Sequence, residues 1–382
     1  MTLLPFDYAI RNLGRSPRRL ALVAGGSMLV ALLAILAIGF SRGLASALAS
    51  SGLESNALVL GSGSEESAER SEIPPTVRDV LVGEIDGLPM VAGEPAASSE
   101  IHAALPTRGP ATGTLAPPMP VRGFENAAFL VHPQVALAEG RWPARGRDEV
   151  SLGLEAKSRL GAHIGDTVEI AGHAFEVCGF HAARGTAMHG EVWMRIDRLA
   201  QLTQRTTHSC VVVALGDAEF DDIDAFTASR LDLETVAMRE SEYYARIAEF
   251  FKPIRVLVAI TAFLIALGGA LGGIHAMYAA FSTRVREAAT LQALGFSRAA
   301  IALSLVLEST VACLAGALAA CAVGLVALDG LAVHFSMGSF AVSVDSAAIA
   351  GALAAGLLLG LFGAIPAILR CLTLSIPTAL RS

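Results

Sequence analysis

The chain has 382 residues, of which 53% are hydrophobic and only 16% are charged, and its formal net charge is −7. This composition is more apolar than that of ordinary soluble domains and indicates a membrane protein. The negative charge makes nucleic acid a poor partner. The only lysines are Lys157 and Lys252, and neither lies in a Walker-type phosphate loop. The sequence therefore argues against such a loop, and energy from a nucleotide must come from another chain.

Four apolar runs are each long enough to cross a bilayer, which takes about 20 residues. We predict these spans at residues 20–40, 256–282, 299–328 and 346–369. The triplet at residues 45–47 resembles a signal-peptide cleavage site. The first run is longer than a typical secretory core, however, which favours an uncleaved anchor.

The placement of arginine predicts the orientation of these spans. The N-terminal segment, residues 1–19, holds four arginines, residues 283–298 hold three, and the tail, residues 370–382, holds two. Residues 329–345 hold none and are predicted to form a short external loop. By the positive-inside rule both termini lie in the cytoplasm, with the N-terminal segment cytoplasmic or interfacial. The sequence thus predicts a multi-pass membrane protein.

Residues 41–255 differ in composition from the spans, because they hold 30 acidic and 19 basic residues together with many glycines and prolines. We predict a large α+β extracytoplasmic domain, inserted between the first and second spans of a polytopic α-helical membrane protein. Residues 62–122 look rich in loops, and helices near 41–53 and 241–255 are expected to form a stalk. Short β-type runs, separated by glycine turns, occur at 149–152, 167–170, 175–178 and 210–215, and further helices are expected at 154–160 and 217–229.

No catalytic motif and no metal site are predicted. The spacing of Cys178, His181, His189 and His208 matches no compact Cys/His zinc pattern. Cys178 and Cys210 share the extracytoplasmic domain and can form a disulfide there, although two free thiols are the alternative.

Two features of the spans suggest roles within the membrane. Glu308 is the one acid well inside an apolar run, where a structural or coupling role is favoured over proton transport. Closely spaced small residues permit helices to approach one another, and the densest set is Gly268, Gly269, Gly272 and Gly273. Chance occurrence in an alanine- and glycine-rich chain is the alternative for these glycines.

Residues 283–298 form a short basic, amphipathic segment between the second and third spans. Val285, Ala288, Ala289, Leu291 and Leu294 recur at helical spacing. Gly295 is predicted to end this helix, and Ser297 to cap the next one. The simplest alternative is a basic turn that only fixes orientation.

The run R-x-R-E-x-x-x-L-x-A-L-G-F-S-R in this segment resembles the loop after the second span in ABC-transporter permeases of the MacB/FtsX/LolC-LolE type. The stretch from residue 139 to residue 180 is similar to the periplasmic core domain of MacB-type permeases. The resemblance implies a coupling helix that docks on a separate ATPase subunit. Its docking residues would be Arg284, Arg286, Glu287, Leu291, Leu294, Gly295 and Phe296.

The resemblance further implies a permease subunit of the bacterial inner membrane without a fused ATPase, which works with two ATPase subunits and with a second permease copy or a paralogue. ATP and Mg would bind the ATPase partner, and this chain would bind no cofactor. The expected substrate is a lipid, lipoprotein, peptide or drug, and a periplasmic adaptor or substrate-binding protein is a further expected partner. Two alternatives stay open: an FtsX-like regulator of a cell-wall hydrolase, and an ATP-independent membrane sensor or scaffold.

Overall fold

The computed structural model describes residues 17–110, 116–282, 285–335, 338–366 and 368–369. The chain divides into two compact units. A helical unit takes the sequence up to Arg42, residues 253–331 and the sequence from Val342 onwards. A β-rich unit takes residues 43–252 and 332–341. The predicted N-terminal segment up to residue 16 and the tail from residue 370 lie outside the described residues.

In the part of the chain that the structure describes, the helical unit contains four long apolar helices, each capable of crossing a membrane by length and composition. They are α1 (Pro17–Ala49), α8 (Lys252–Ser282), α10 (Arg298–Val323), which a π-helical turn (Gly324–Leu328) extends, and α11 (Ser346–Gly363). These helices match the four predicted spans, but several of their ends differ from the predictions. Helix α1 begins three residues earlier than predicted and continues nine residues past residue 40, and α8 begins four residues earlier than predicted. Helix α11 ends at Gly363, and residues 365–366 and 368–369 are helical again, with the amide of Ile368 donating to the carbonyl oxygen of Ala364 over 3.0 Å.

Small residues allow α1, α10 and α11 to approach one another closely. A Cβ atom on Gly356 would lie 2.6 Å from the Cβ of Ala317, and one on Gly316 would collide with the carbonyl oxygen of Ala24. The core between these helices is built from Ala31, Ile35, Ala317, Ala320, Ala348 and Ala352. Van der Waals contact between closely approaching backbones therefore holds this unit together.

Among the residues that the structure describes, the predicted glycine set on α8 makes one close contact with another helix. Gly268, Gly272 and Gly273 have no described heavy atom within 4 Å of a Cβ built on them, apart from their own helix. Gly269 alone meets another helix, at 2.9 Å from Val30 Cγ2. Packing of the other three against a second chain stays a prediction.

The β-rich unit is organised around one long strand, β4 (Ala97–Arg108). The first half of β4 completes an antiparallel four-stranded part in the order β12-β1-β11-β4. Its second half belongs to a six-stranded barrel, β4-β5-β10-β7-β9-β8, which closes because β8 pairs with both β9 and β4. The other strands are β1 (Asn56–Gly61), β5 (Ala116–Phe124), β7 (Glu149–Gly153), β8 (Thr167–Ile170), β9 (His173–Ala182), β10 (Val192–Arg195), β11 (Cys210–Ala214) and β12 (Thr235–Arg239). Strand β6 (Ala136–Gly140) pairs with β9 outside the barrel.

Each part of this unit has its own apolar core. The barrel interior is filled by alternate residues of its strands, including Val121, Leu152 and Val177, with α4 (Leu154–Leu160) and α5 (Ile196–Thr203) packed nearby. The four-stranded part buries one face, including Val59 and Val213, against α2 (Val77–Glu84) and α6 (Phe220–Ser229). The remaining short elements are α3 (Ala128–Val131), the hairpin β2 (Met90–Val91) and β3 (Glu94–Pro95), and 3₁₀ turns at Ala187–Gly190 and Leu231–Leu233.

The strands and helices predicted from residue 149 onwards are present, but the prediction of a loop-rich region at 62–122 is wrong. Strands β4 and β5 occupy much of it and form the centre of the unit. The predicted stalk segments are helical: the second forms α7 (Glu240–Phe250), which buries Tyr243, Tyr244 and Ile247.

The predicted external loop at 329–345 also contains structure. It forms a hairpin of β13 (Ala332–Phe335) and β14 (Gly338–Ala341) that belongs to the β-rich unit. A Cβ atom on Gly43 would collide with the carbonyl oxygen of Ala341, so this close approach depends on glycine in α1.

Candidate functional site

The segment between the second and third spans forms a short helix, α9 (Val285–Ala293), that stops where the sequence predicts. The amide of Phe296 donates to the carbonyl oxygen of Leu291 over 3.1 Å, and that of Gly295 donates to Gln292 over 3.0 Å. Gly295 has φ +92°, in the left-handed region that favours glycine. These two hydrogen bonds form a Schellman motif, which fixes the direction in which the chain leaves α9.

Helix α10 begins directly after this stop. Ser297 Oγ accepts a hydrogen bond from the amide of Ala300 over 3.2 Å, as the predicted cap requires. Leu294 has 72% of its surface exposed, whereas Leu291 and Phe296 are half-buried. Among the other predicted docking residues, Arg284 and the side chains of Arg286 and Glu287 lie outside the described part of the structure.

Glu308 is buried inside the helical unit, with 7% of its surface exposed. Ser304 and Ser309, on the same helix, are buried as well. The carboxyl group therefore does not face lipid, which agrees with a role inside the helix assembly.

A second candidate site is a buried polar network in the β-rich unit, at the point where β4 passes from the four-stranded part into the barrel. Glu100 is fully buried, and both of its carboxylate oxygens have partners. Its Oε1 atom lies 2.8 Å from His132 Nε2, and its Oε2 atom accepts from Arg122 Nη1 over 2.5 Å and lies 3.1 Å from His102 Nε2. A buried carboxylate needs such partners to offset its lost hydration.

Arg122 extends the network from β5 to the start of β10. Its Nε and Nη2 atoms donate to the two oxygens of Glu191 over 2.7 and 2.8 Å. Trp193 Nε1 also donates to Glu191, over 2.8 Å. Arg122 therefore joins two buried carboxylates in a two-pronged geometry that favours one arrangement of the strands.

The network reaches both chain segments that connect the β-rich unit to the spans. Glu240, the first residue of α7, accepts hydrogen bonds from the Leu53 amide over 3.0 Å and from Asn56 Nδ2 over 2.9 Å. His132 Nδ1 lies 3.8 Å from Glu240 Oε1 and so connects Glu240 to Glu100. The segment that follows α1 and the helix that leads to α8 are thus tied to one buried cluster.

The charge states of the network follow from burial and from its internal pairs. Burial opposes ionisation of Glu100 and Glu191, but the charge of Arg122, the neighbouring histidines and the hydrogen bonds to each carboxylate together outweigh burial and lower both pKa values. Burial would lower the pKa of His132, yet the negative charge of Glu100 raises it. Burial itself raises the pKa of Glu240. The cluster is therefore built around charged Glu100, Arg122 and Glu191.

A cavity of about 30 Å³ adjoins the network and has room for water. Its lining includes His102, Arg122, Glu69 and Tyr243. Burial, followed by the charge of Arg122, lowers the pKa of His102, which is therefore a neutral imidazole at neutral pH.

Cys178 and Cys210 do not form the disulfide that the sequence allows: both are free thiols. Cys178 lies on β9 with its Sγ atom 3.3 Å from the carbonyl oxygens of Arg141 and Val150. Cys210 lies on β11 and faces His102. Because β8 and β4 lie between β9 and β11 in the sheet, the two sulfur atoms have separate surroundings.

Two of the histidines that follow Cys178 in the sequence, His181 and His189, form hydrogen bonds to neighbouring protein groups. His181 is fully buried, and its Nδ1 atom lies 2.9 Å from Ser151 Oγ. Burial lowers the pKa of His181 to about 4. His189 Nδ1 accepts from the amide of Ala183 over 3.2 Å.

The sequence did not reveal the buried network, because its members come from residues 53–56, 100–132, 191–193 and 240. One signal was present. The run Ser98-Ser99-Glu100 is too polar for an ordinary buried strand, and a buried polar strand needs partners elsewhere.

Comparisons with known proteins agree with the two-part organisation. The family described as "MacB-like periplasmic core domain" matches residues 20–228, which is more than half of the chain. The family described as "FtsX-like permease C-terminal" matches residues 259–376. No curated protein sequence matches the chain.

Two solved structures resemble the β-rich part. The periplasmic region of MacB from Actinobacillus actinomycetemcomitans aligns with a TM-score of 0.40 at 10% identity and covers 52% of this chain and 94% of its own. The extracellular domain of the noncanonic ABC-type transporter YknZ from Gram-positive bacteria aligns with a TM-score of 0.37 at 13% identity and covers 48% and 99%. Because both TM-scores are low, the assignment rests on the two family matches. From these matches, the chain belongs to the MacB/FtsX type of ABC-transporter permease.

Proposed function

We propose that this chain is the permease subunit of an ABC transporter and transmits ATP-driven motion from a separate ATPase subunit to its β-rich domain. The observation that carries the proposal is α9, a short helix between two spans whose end is fixed by a Schellman motif and followed at once by a capped helix. A force applied at α9 reaches α10 without a flexible linker between them. Leu294, exposed at the end of α9, supplies an apolar contact for the ATPase.

The outer end of the pathway is the buried network around Glu240. In this proposal a relative movement of the first two spans acts on Leu53 and on α7, which Glu240 connects. The network passes the movement to β4, the strand shared by the four-stranded part and the barrel. Such a mechanism needs no catalytic residue in this chain, only two arrangements whose balance depends on nucleotide.

Family membership supports an ABC ATPase as partner, and we propose the number of subunits and the further partners beside it. Two ATPase subunits bind ATP and Mg, and a second copy of the chain or a paralogue completes the membrane part. The substrate is a lipid, lipoprotein, peptide or drug outside the inner membrane, with a periplasmic adaptor or substrate-binding protein as a further partner. An FtsX-like regulator of a cell-wall hydrolase uses the same coupling and differs only in what the outer domain moves.

Docking is tested by Leu294→Asp in the full-length chain, expressed with its ATPase. We expect co-purification of the ATPase and stimulation of its nucleotide turnover to be lost. The matched control is Leu231→Asp, an exposed leucine of the β-rich unit with 80% of its surface accessible, which should leave both unchanged. An intact complex with normal turnover in Leu294→Asp would overturn the docking surface.

The orientation is tested by labelling single introduced cysteines in intact cells with an impermeant maleimide. Asp221→Cys lies on the exposed side of α6 and should react from outside, whereas Ala293→Cys, exposed at the end of α9, should react only after permeabilisation. The parent chain gives the background from its native cysteines. Reaction of Ala293→Cys in intact cells contradicts cytoplasmic placement of α9.

A further inference from the structure

Three side chains of metal-ligand type converge at the centre of β4. Glu100 and Cys210 are direct partners in the ladder between β4 and β11. His102 lies two residues beyond Glu100 on β4, so its side chain leaves the strand on the same face. The convergence therefore follows from strand register, although Cys210 is far from the other two in sequence.

The distances among the three ligand atoms suit one small ion. His102 Nε2 lies 3.1 Å from Glu100 Oε2 and 3.9 Å from Cys210 Sγ, and all three atoms lie within 4.8 Å of one another. In a tetrahedral zinc site, bond lengths of about 2.0–2.3 Å place neighbouring ligand atoms roughly 3.3–3.8 Å apart. Side-chain shifts of up to about 1 Å would bring all three atoms to this spacing.

We propose that Glu100, His102 and Cys210 bind one transition-metal ion of the zinc class through a carboxylate oxygen, an imidazole nitrogen and a thiolate sulfur. The fourth ligand is a water molecule from the adjoining cavity, which His102 also lines. Nitrogen and sulfur donors select Zn²⁺ over Mg²⁺ or Ca²⁺, because those two ions prefer sites made of oxygen.

Neighbouring side chains already hold the first of these ligands in place. His132 Nε2 contacts Glu100 Oε1, which leaves Oε2 to face His102 and Cys210. Arg122 also contacts Oε2, but Glu191 holds its other two donor atoms and balances its charge. A carboxylate oriented by a second hydrogen bond is typical of protein metal sites.

Binding also involves a defined proton change. The Cys210 thiol loses its proton to solvent as the sulfur–metal bond forms, and His102 carries its ring proton on Nδ1 so that the Nε2 lone pair is free for the metal. One ion binds and one proton leaves the thiol, with no change in oxidation state.

The test uses the purified full-length chain without a histidine tag, titrated with Co²⁺. We expect one ion per chain and a thiolate-to-cobalt charge-transfer band together with the intense visible bands of a tetrahedral site. Cys210→Ser should abolish the charge-transfer band. Cys178→Ser, which removes the other thiol of the β-rich unit, should retain it, and His102→Ala should weaken binding about 10-fold or more.

Thermal unfolding with Zn²⁺ separates loss of the site from loss of the fold. Zn²⁺ should raise the Tm of the parent chain and of Cys178→Ser, but not that of Cys210→Ser, even if that variant starts from a lower Tm. Absence of a charge-transfer band in the parent chain would overturn the proposal. A band of equal strength in Cys210→Ser, or equal stabilisation of all three proteins by Zn²⁺, would overturn it as well.

Discussion

Glu240 Oε2 lies 2.9 Å from Asn56 Nδ2, so a helix that leads to the second span is bonded to the strand that follows the first span. The same oxygen accepts the Leu53 amide over 3.0 Å. One buried carboxylate therefore fixes where the chain enters and leaves the β-rich unit. This arrangement makes Glu240 the place where the connection to the membrane can be tested most directly.

Replacing Glu240 with alanine should lower the free energy of unfolding by about 1–3 kcal/mol, because it leaves the Leu53 amide without its acceptor and Asn56 Nδ2 with only the Val131 carbonyl oxygen. Denaturant unfolding of the full-length chain in detergent measures this loss. The control is Glu242→Ala on the same helix, which removes only an exposed pair with Arg246 and should cost about 0.5 kcal/mol or less. Equal losses of stability in the two variants would show that the buried hydrogen bonds of Glu240 stabilise the fold no more than the exposed pair of Glu242 and Arg246 does.

Replacing a glycine on α10 with alanine should lower the stability more than the same replacement on α8. In Gly316→Ala the new Cβ atom collides with the backbone of Ala24, so we expect a loss of about 1–3 kcal/mol in stability. Gly268→Ala places its Cβ atom more than 4 Å from the described residues outside its own helix and should be neutral or slightly stabilising, since alanine favours helix. The Tm of both variants in detergent micelles measures the difference. An unchanged Tm in Gly316→Ala would contradict the prediction.

Loss of stability in acid should depend on His181. Its folded pKa of about 4 lies below the unfolded value of 6.5, so the unfolded chain takes up the proton first. Stability is therefore fully present above about pH 6.5 and falls as the pH drops towards 4, by up to about 3 kcal/mol in total. His181→Phe fills a similar volume without titrating. Unfolding curves from pH 7 to pH 4.5 should be flatter for this variant, and identical slopes would exclude His181 as the cause.

The exit from α9 should depend on the left-handed backbone of Gly295. Gly295→Ala places a Cβ atom at φ +92°, at a cost of about 1–2 kcal/mol, and should reduce ATPase stimulation in the assembled complex. Gly295→Asn should retain more of it, because asparagine tolerates this region better. The rate of ATP turnover, measured for the complex with each variant, ranks the two substitutions by their effect on ATPase stimulation. Full activity in Gly295→Ala would mean that the Schellman motif is not needed for coupling.

Features controlled by local chemistry were predictable from the sequence. The spans were predicted from the length of the apolar runs, and strands such as β11 from consecutive valines. The end of α9 was predicted from Gly295 and the cap of α10 from Ser297. In each case the residues that determine the structure lie within a few positions of it.

Features that depend on distant partners were not predictable. Strand β4 contains Pro106 and a buried polar run, and β5 contains three prolines, so both resemble loops until their partners are known. Propensity failed there because tertiary hydrogen bonds and the ion pairs of Glu100 offset the cost of buried polar groups. The sequence left open whether Cys178 and Cys210 form a disulfide for the same reason, since strand order alone decides which cysteines are neighbours.

The pairing of β1 with β11 and β12 also determines when this protein can fold during synthesis. Both partners of β1 are made about 150 residues or more after it, and Glu240 appears only shortly before the second span begins. Most of the β-rich unit must therefore leave the ribosome before its four-stranded part can close. Until then a long, incompletely paired polypeptide is exposed to proteases and chaperones.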